Sequence, residues 1–484
     1  MKDSRIPTGV SGLDEILHGG LIPGYCYLLT GPAGTGKTIL SLQWLMDGCR
    51  RGEKGLYLAL CEDVGKVRKN MAALGWSLEG VEMVDITPQA WATTGHEGEY
   101  TVFPPSEVEQ PRVWGGLYSA LEEHRPKRAV VDSATHLRYL STDEYQFRMH
   151  ILGLVGQLSR HGCTSILTFE PSELERETAL AMAVDGVIRL RREVSSGGAI
   201  EIRSLDVEKL RGSGYVPGLH HMRITEEGVV VFPHRIERGG GPTPGQEGLS
   251  SGIEALDELL GGGIESGTTT IISGPTGVGK STLGLHFLLK AAEEGMDSIL
   301  YTFEESIPSI LWRSRALGMQ VDGALEEGSL RIVHVNAMGL YPDEFLGMVR
   351  RDVEDGRRVV MVDSLRGYQL AMEQFGTLGA HLQNLINFIL SRGASTFLIN
   401  EVEQITGDLS LTELGVSFLM DNALLLRYAE YRGGIIRVVG CLKKRLGAHQ
   451  SELREFRITP EGLHVGEKLK GLRGVLTGVP ERVD

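Results

Sequence analysis

Gly31-Pro32-Ala33-Gly34-Thr35-Gly36-Lys37-Thr38 returns later in the chain as Gly274-Pro275-Thr276-Gly277-Val278-Gly279-Lys280-Ser281. Both copies match G-x-x-x-x-G-K-[ST]. Each follows an apolar run that reads as a strand (Tyr25 to Thr30; Thr269 to Ser273). Each precedes an amphipathic run that reads as a helix (Thr38 to Arg50; Ser281 to Glu294). That setting distinguishes a phosphate-binding loop from a glycine-rich turn. Glycines let the backbone curl so that successive N–H groups face phosphate oxygens, and the helix N-terminus adds partial positive charge. Lys37 and Lys280 are expected at the β- and γ-phosphates, and the Thr38 and Ser281 hydroxyls at Mg²⁺. The expected ligands are therefore ATP and Mg²⁺, one set per loop.

Sliding the chain by 243 residues, which lays Lys37 on Lys280, superposes much more. Gly9 falls on Gly252, Leu13 on Leu256, Asp14 on Asp257, Gly24 on Gly267 and Glu62 on Glu305. Further on the shift becomes 231, laying Asp132 on Asp363, so the first half carries about twelve extra residues. Pro88 to Pro111, rich in Gly, Pro, Thr and Glu, is the expected insertion and reads as an exposed loop. The breaker-dense run from Arg238 to Gly248 reads as a linker. This gives an N-terminal domain over 1–238, a linker over 239–248, a C-terminal domain over 249–468 and a tail over 469–484. Further strands are expected at Gly55 to Leu60 and Ser298 to Phe303, and short helices at Gly12 to Leu17 and Ile253 to Leu260. Strands alternating with helices predict an α/β fold in each half, a mostly parallel sheet flanked by helices.

Two apolar strands end in aspartate at matching positions, Arg128 to Asp132 and Val359 to Asp363, and supply a second carboxylate for Mg²⁺. Hydrolysis also needs a base to orient water. The second half offers Glu304-Glu305 at a strand end, 23 residues after Ser281; the first half offers Cys61-Glu62, 23 residues after Thr38. The first glutamate of the pair is thus replaced by a thiol, a poor acceptor that is mostly protonated at neutral pH. Adjacent strand residues face opposite ways, so Glu62 replaces it only by shifting. Glu304 is expected to be the main base and the N-terminal site to hydrolyse slowly.

The chain has 484 residues, a net charge of −14 and a pI of about 5.6. That balance argues against a protein devoted to gripping nucleic acid. The five cysteines form no C-x-x-C pair, and no HExxH or paired Cys/His spacing suggests a structural metal. Neither a signal peptide nor an apolar run of membrane-spanning length is visible, so a cytoplasmic protein is expected.

These residues resemble the KaiC family within the RecA superfamily. The resemblance rests on T-G-x-x-x-L-D ahead of the first loop, its counterpart from Ser251-Gly252 to Leu256-Asp257, the GPxGxGK[ST] loops, the glutamate pair and the V-D-S strands. Lys209 to Gly212, Lys443 to Arg445, Arg454 to Phe456 and Val475 to Pro480 are also similar to family segments. It implies two tandem RecA-like P-loop NTPase domains and a homohexameric double ring with ATP between subunits. Lys209 and Arg211, and Lys443 and Arg445, would then reach the γ-phosphate held by a neighbour. It further implies autokinase activity on an adjacent Ser-Thr pair, which here falls on Ser417-Phe418; only Ser417 has a hydroxyl. A small residue packed at a strand start is the alternative reading of Ser417. No long KaiA-binding tail follows the last family-like segment, so an activator of that type is not expected.

Three functions compete. The first is an ATPase or serine autokinase acting as a signalling switch for a partner protein. The second is a RecA- or DnaB-like DNA-acting ATPase, for which Arg189 to Arg192 and Tyr428 to Arg432 would be the channel contacts. The third is a scaffold assembled by ATP with little turnover.

Overall fold

The computed structural model describes residues 5–87, 105–141, 143–171, 178–195, 200–237, 240, 248–373, 375–402, 417–431, 433–470, 472–473 and 481–482. The chain divides into two units, Met1–Arg235 and Ile236–Asp484. Nearly all of the expected linker lies outside the described residues. Glu237 belongs to the second unit: its N–H donates to Asn384 Oδ1 at 2.7 Å and its carboxylate pairs with Arg350.

Each unit is built on a nine-stranded sheet. We number the strands of these sheets in chain order. The first has β1 Cys26–Thr30, β2 Gly55–Ala59, β3 Val81–Asp85, β4 Arg128–Asp132, β5 Thr164–Phe169, β6 Gly186–Val194, β7 Glu201–Leu210, β8 His220–Thr225 and β9 Gly228–Phe232. Their spatial order is β3-β2-β4-β5-β1-β6-β7-β8-β9. The second has β10 Thr269–Gly274, β11 Ser298–Thr302, β12 Leu330–His334, β13 Val359–Asp363, β14 Ser395–Glu401, β15 Asn422–Tyr431, β16 Gly434–Lys444, β17 Leu453–Thr459 and β18 Gly462–Lys468. Their order, β12-β11-β13-β14-β10-β15-β16-β17-β18, is the same topology. In both sheets the first six strands of that order are parallel and the last three run as an antiparallel meander.

The apolar runs explain this layering. All residues of β1 and β10 are buried, as expected where both sheet faces are covered. Tyr27 and Leu29 face the layer holding the helix Lys37–Arg50, with Leu40, Leu42 and Trp44; Leu28 faces the layer holding Leu117, Ile151 and Leu154. Ile272 and Ile271 divide the second unit in the same way. The elements foreseen around the loops end within one residue of their predicted limits. The insertion differs. Residues 88–104 lie outside the described set, but Pro105–His124 is helical, so the loop expected to run to Pro111 ends earlier. A proline is compatible with a helix start, because the first-turn N–H groups have no intrahelical partner.

The spacing repeated ahead of each loop also has a local cause. Asp14 Oδ1 accepts the Thr8 N–H at 2.7 Å, and Asp257 Oδ1 accepts the Ser251 N–H at 2.8 Å. Each aspartate closes the turn that carries the glycine before it.

Candidate functional site

Parallel strands deliver their carboxyl ends to one sheet edge, where ligands of open α/β sheets bind. Around β1 the order β2-β4-β5-β1 brings together Cys61, Asp132, Glu170 and the first phosphate loop. Around β10 the order β11-β13-β14-β10 brings together Glu304, Asp363, Glu401 and the second.

Both loops end on a glycine in the left-handed region, Gly36 at φ 101° and Gly279 at φ 110°, which cap the following helices without a side-chain hydrogen bond. The first-turn amides therefore keep their donors for an anion. Gly31 and Gly274 permit close approach: a Cβ at either would stand 2.3 Å from a carbonyl oxygen, of Leu190 or Leu426. Lys37 Nζ donates to Gly31 O at 2.7 Å and Pro32 O at 2.9 Å, and Lys280 Nζ to Pro275 O at 2.9 Å. Burial lowers the pKa of both amines. Glu170 and Asp132 oppose this at Lys37; Glu401, Asp363 and Glu304 oppose it at Lys280.

The loop hydroxyls meet the strand-end aspartates. Thr38 Oγ1 donates to Asp132 Oδ2 at 2.7 Å, and Ser281 hydrogen-bonds Asp363. A hydroxyl beside a carboxylate is a hard oxygen pair suited to Mg²⁺, which takes few protein ligands and completes its shell with phosphate and water. Among the described residues no cluster of three or more His, Cys, Asp or Glu could hold a metal alone. The two aspartates differ in support. Asp132 also accepts from Tyr57 Oη at 2.7 Å and Thr168 Oγ1 at 2.6 Å. The matching positions in the second half are Leu300 and Ile399. Burial pushes Asp363 up to about 6, with Glu304 adding to the rise and the Ser281 bond opposing it.

The glutamate pair separates. Glu304 Oε1 accepts from Ser364 Oγ at 2.6 Å, and Ser364 in turn accepts the Gly367 N–H at 3.3 Å, capping the helix Leu365–Met372. Glu304 is thus held beside the Asp363 strand end. Glu305 pairs instead with Arg313, at 2.5 and 2.6 Å, and with Ser309 at 3.1 Å. Glu62 follows the pattern of Glu305: its carboxylate accepts from Asn70 at 3.2 Å, and Asn70 is the counterpart of Arg313. In the first half Cys61 occupies the Glu304 position, lining a cleft of about 260 Å³ with Ser133, Thr135, His136 and Glu170.

The expected trans cations do not join the loop of their own domain. Lys209 pairs in register with Val187 at the start of β6, whereas the loop leaves the far end of β1. Lys209 Nζ donates to Ala181 O and Val184 O, both at 2.6 Å; the half-exposed Arg211 reaches Asp185 at 3.4 Å. Lys443 Nζ donates to Met420 O, and Arg445 reaches Asp421 at 3.3 Å. Ser417 opens a single 3-10 turn, Ser417–Leu419, just before β15. Val475 to Pro480 lies outside the described residues.

Sequence reasoning missed Tyr57, Thr168, Ser364 and the pair Glu170/Glu401. It also gave Arg192 another role. Arg192 Nη1 would stand 3.2 Å from a Cβ on Gly34, so it lies against the phosphate loop, as Tyr428 lies against Thr276 and Gly277 in the second half.

No helix among the described residues is long and apolar enough to cross a membrane. The KaiC ATPase family model matches residues 6–236 and 249–470. Similar proteins include the circadian clock protein KaiC3 of Synechocystis sp., 27% identical over 98% of this chain and 94% of its own length. The circadian clock oscillator proteins KaiC of Prochlorococcus marinus and Synechococcus elongatus are each 27% identical, covering 100% and 99% of this chain and 96% and 92% of their own lengths. Two tandem RecA-like sheets, each ending in a phosphate loop with its strand-end aspartate, together with a family match over both halves, make this chain a member of the KaiC family of ATPases.

Proposed function

We propose that the chain is a ring-forming KaiC-like ATPase switch whose two sites are unequal. The observation that carries this reading is Glu304, fixed by Ser364 at the Asp363 strand end, where the first half has Cys61. Each site holds ATP with Mg²⁺ through Thr38 and Asp132, or Ser281 and Asp363. The ion screens phosphate charge when bound. Lys37 and Lys280 turn from their own loop carbonyls to the phosphates, and Glu304 orients the attacking water in the C-terminal site. The N-terminal site holds ATP longer.

Lys209 and Arg211, and Lys443 and Arg445, reach the nucleotide of a neighbouring subunit in a homohexamer. Their distance from the loop of their own domain supports a role in trans. Ser417 is the single phosphoacceptor, and a signalling protein reads the resulting state in the cytoplasm. A nucleic-acid channel is disfavoured by a specific observation: Arg189, Arg191 and Arg192 pair with Glu208, Asp206 and Glu201 at 2.5, 3.0 and 2.5 Å. Cations neutralised across the meander have little charge left for a phosphate backbone.

Incubation with Mg-ATP, following ADP release and intact mass together, tests the reading. Glu304→Gln should remove most ADP release, and one phosphate should appear on Ser417. Undiminished turnover in Glu304→Gln refutes the unequal sites.

A further inference from the structure

The carboxylate beside each phosphate loop is held differently in the two halves. Glu170 directly follows β5 and Glu401 ends β14, and the 231-residue shift superposes them. β5 adjoins the loop, with Gly31 N donating to Phe169 O at 3.2 Å. In the C-terminal half the Glu401 carboxylate accepts from Thr276 Oγ1, a hydroxyl of the loop itself. Ala33 stands at that position in the N-terminal half and offers no hydroxyl. Among the described residues no side chain hydrogen-bonds the Glu170 carboxylate. Its backbone is nonetheless fixed, because the Glu170 N–H donates to Thr135 Oγ1 at 2.8 Å. The exposed Glu170 side chain lines the same cleft as Cys61 and Ser133. Its charge is the largest influence opposing the effect of burial on Lys37.

Two differences and one feature shared with the other half therefore meet at one site. The glutamate that Ser364 holds in the C-terminal half is a cysteine at 61. The loop hydroxyl that engages Glu401 is missing at Ala33. Glu62 is engaged by Asn70. Among the described residues, the carboxylates left at the strand ends around the loop are Asp132, committed to three hydroxyls, and Glu170.

We propose that Glu170 is the catalytic base of the N-terminal site, in place of the glutamate absent at position 61; this rests on the reading that the site holds ATP. Glu170 takes the proton of the attacking water as its oxygen bonds the γ-phosphorus. The bond from that phosphorus to the β–γ bridging oxygen breaks, ADP leaves with the electron pair, and phosphate and the proton follow. In the C-terminal half the same strand-end carboxylate stays on Thr276 and Glu304 does this work.

The test uses the full chain with the C-terminal site silenced by Lys280→Ala and Glu304→Gln. Residual ADP release is measured beside equilibrium binding of a fluorescent non-hydrolysable ATP analogue. Glu170→Gln should lower residual release about 100-fold and leave analogue affinity intact. Ala33→Thr, which restores the loop hydroxyl, should lower release by capturing Glu170. Unchanged release in Glu170→Gln, loss of analogue binding in that variant, or unchanged release in Ala33→Thr each overturns the assignment. Failure of the unaltered N-terminal site to bind the analogue overturns the underlying reading as well.

Discussion

The Tyr57 hydroxyl donates to Asp132 Oδ2 at 2.7 Å, and the residue in the place of Tyr57 in the second half is Leu300. Asp363 consequently lacks a donor that its counterpart has, and burial raises it to about 6. A carboxyl with a raised pKa is neutral below that value, and a neutral carboxyl is a poor Mg²⁺ ligand. In the Lys37→Ala protein, which keeps the C-terminal site, ATP–Mg²⁺ affinity should fall as pH drops through about 6. The loss should approach about tenfold per pH unit, as expected for one required deprotonation. Titration calorimetry between pH 5 and 7.5 measures this, and Asp363→Asn should flatten the dependence.

Removing the base should separate chemistry from binding. Glu304→Gln should cut phosphate release by about 10²- to 10⁴-fold, the range for a positioned general base, with ATP still bound. Ser364→Ala should give a smaller loss in kcat with KM little changed, because Ser364 orients Glu304 without touching substrate. Ser364→Thr keeps the hydroxyl and should recover much of that loss. Single-turnover kinetics would distinguish these effects from a folding defect.

The two loop lysines should divide the protein into its halves. Lys280→Ala should remove most ADP release, whereas Lys37→Ala should reduce the bound nucleotide by about half and leave most release in place. Nucleotide retained after gel filtration, counted against protein, gives the occupancy. Equal losses of turnover in the two variants would contradict the unequal sites.

Cys61 marks where the lost carboxylate stood. Burial raises its pKa first, and the charges of Asp132, Glu62 and Glu170 add to this. The thiol should therefore be protonated at pH 7 and alkylate slowly, gaining speed only above the ordinary thiol range. Cys61→Glu should raise turnover by about 100-fold in protein whose C-terminal site carries Lys280→Ala. A flat result would mean that the cleft does not present residue 61 to the nucleotide.

Phosphorylation should stop at one group per chain. Intact mass after incubation with Mg-ATP should show a single added phosphate that disappears in Ser417→Ala. Persistence in that variant would move the acceptor elsewhere.

Most of the fold was legible because its signals are local and occur twice. The glycine loops, the apolar β1 and β10, and the aspartates ending β4 and β13 each read correctly in a short window, and the duplication fixed their register. The support of those groups was not local. Tyr57 and Thr168 reach Asp132 from two neighbouring strands, and nothing in either strand alone distinguishes a buried hydroxyl that binds a carboxylate from one that only packs. Ser364 stood in the sequence only as the last residue of a V-D-S motif; that it caps a helix and holds Glu304 shows only in the fold. Glu170 was within reach: the shift that aligned Asp132 with Asp363 also aligns Glu170 with Glu401. The helix from Pro105 was hidden by a composition typical of loops.

In β1 and β10 no side chain faces solvent. A mutational scan across these two strands should find almost no tolerated charged substitution, whereas small hydroxyls such as Thr269, Thr270 and Ser273 are already accommodated in β10; several residues around the loops they deliver have also been exchanged between the halves. The duplication has thus kept the burial of these strands while changing every aligned residue in them, from Cys26/Thr269 to Thr30/Ser273, and its reactive groups have diverged as well. An engineer wishing to alter turnover should vary the strand ends and leave the strands alone.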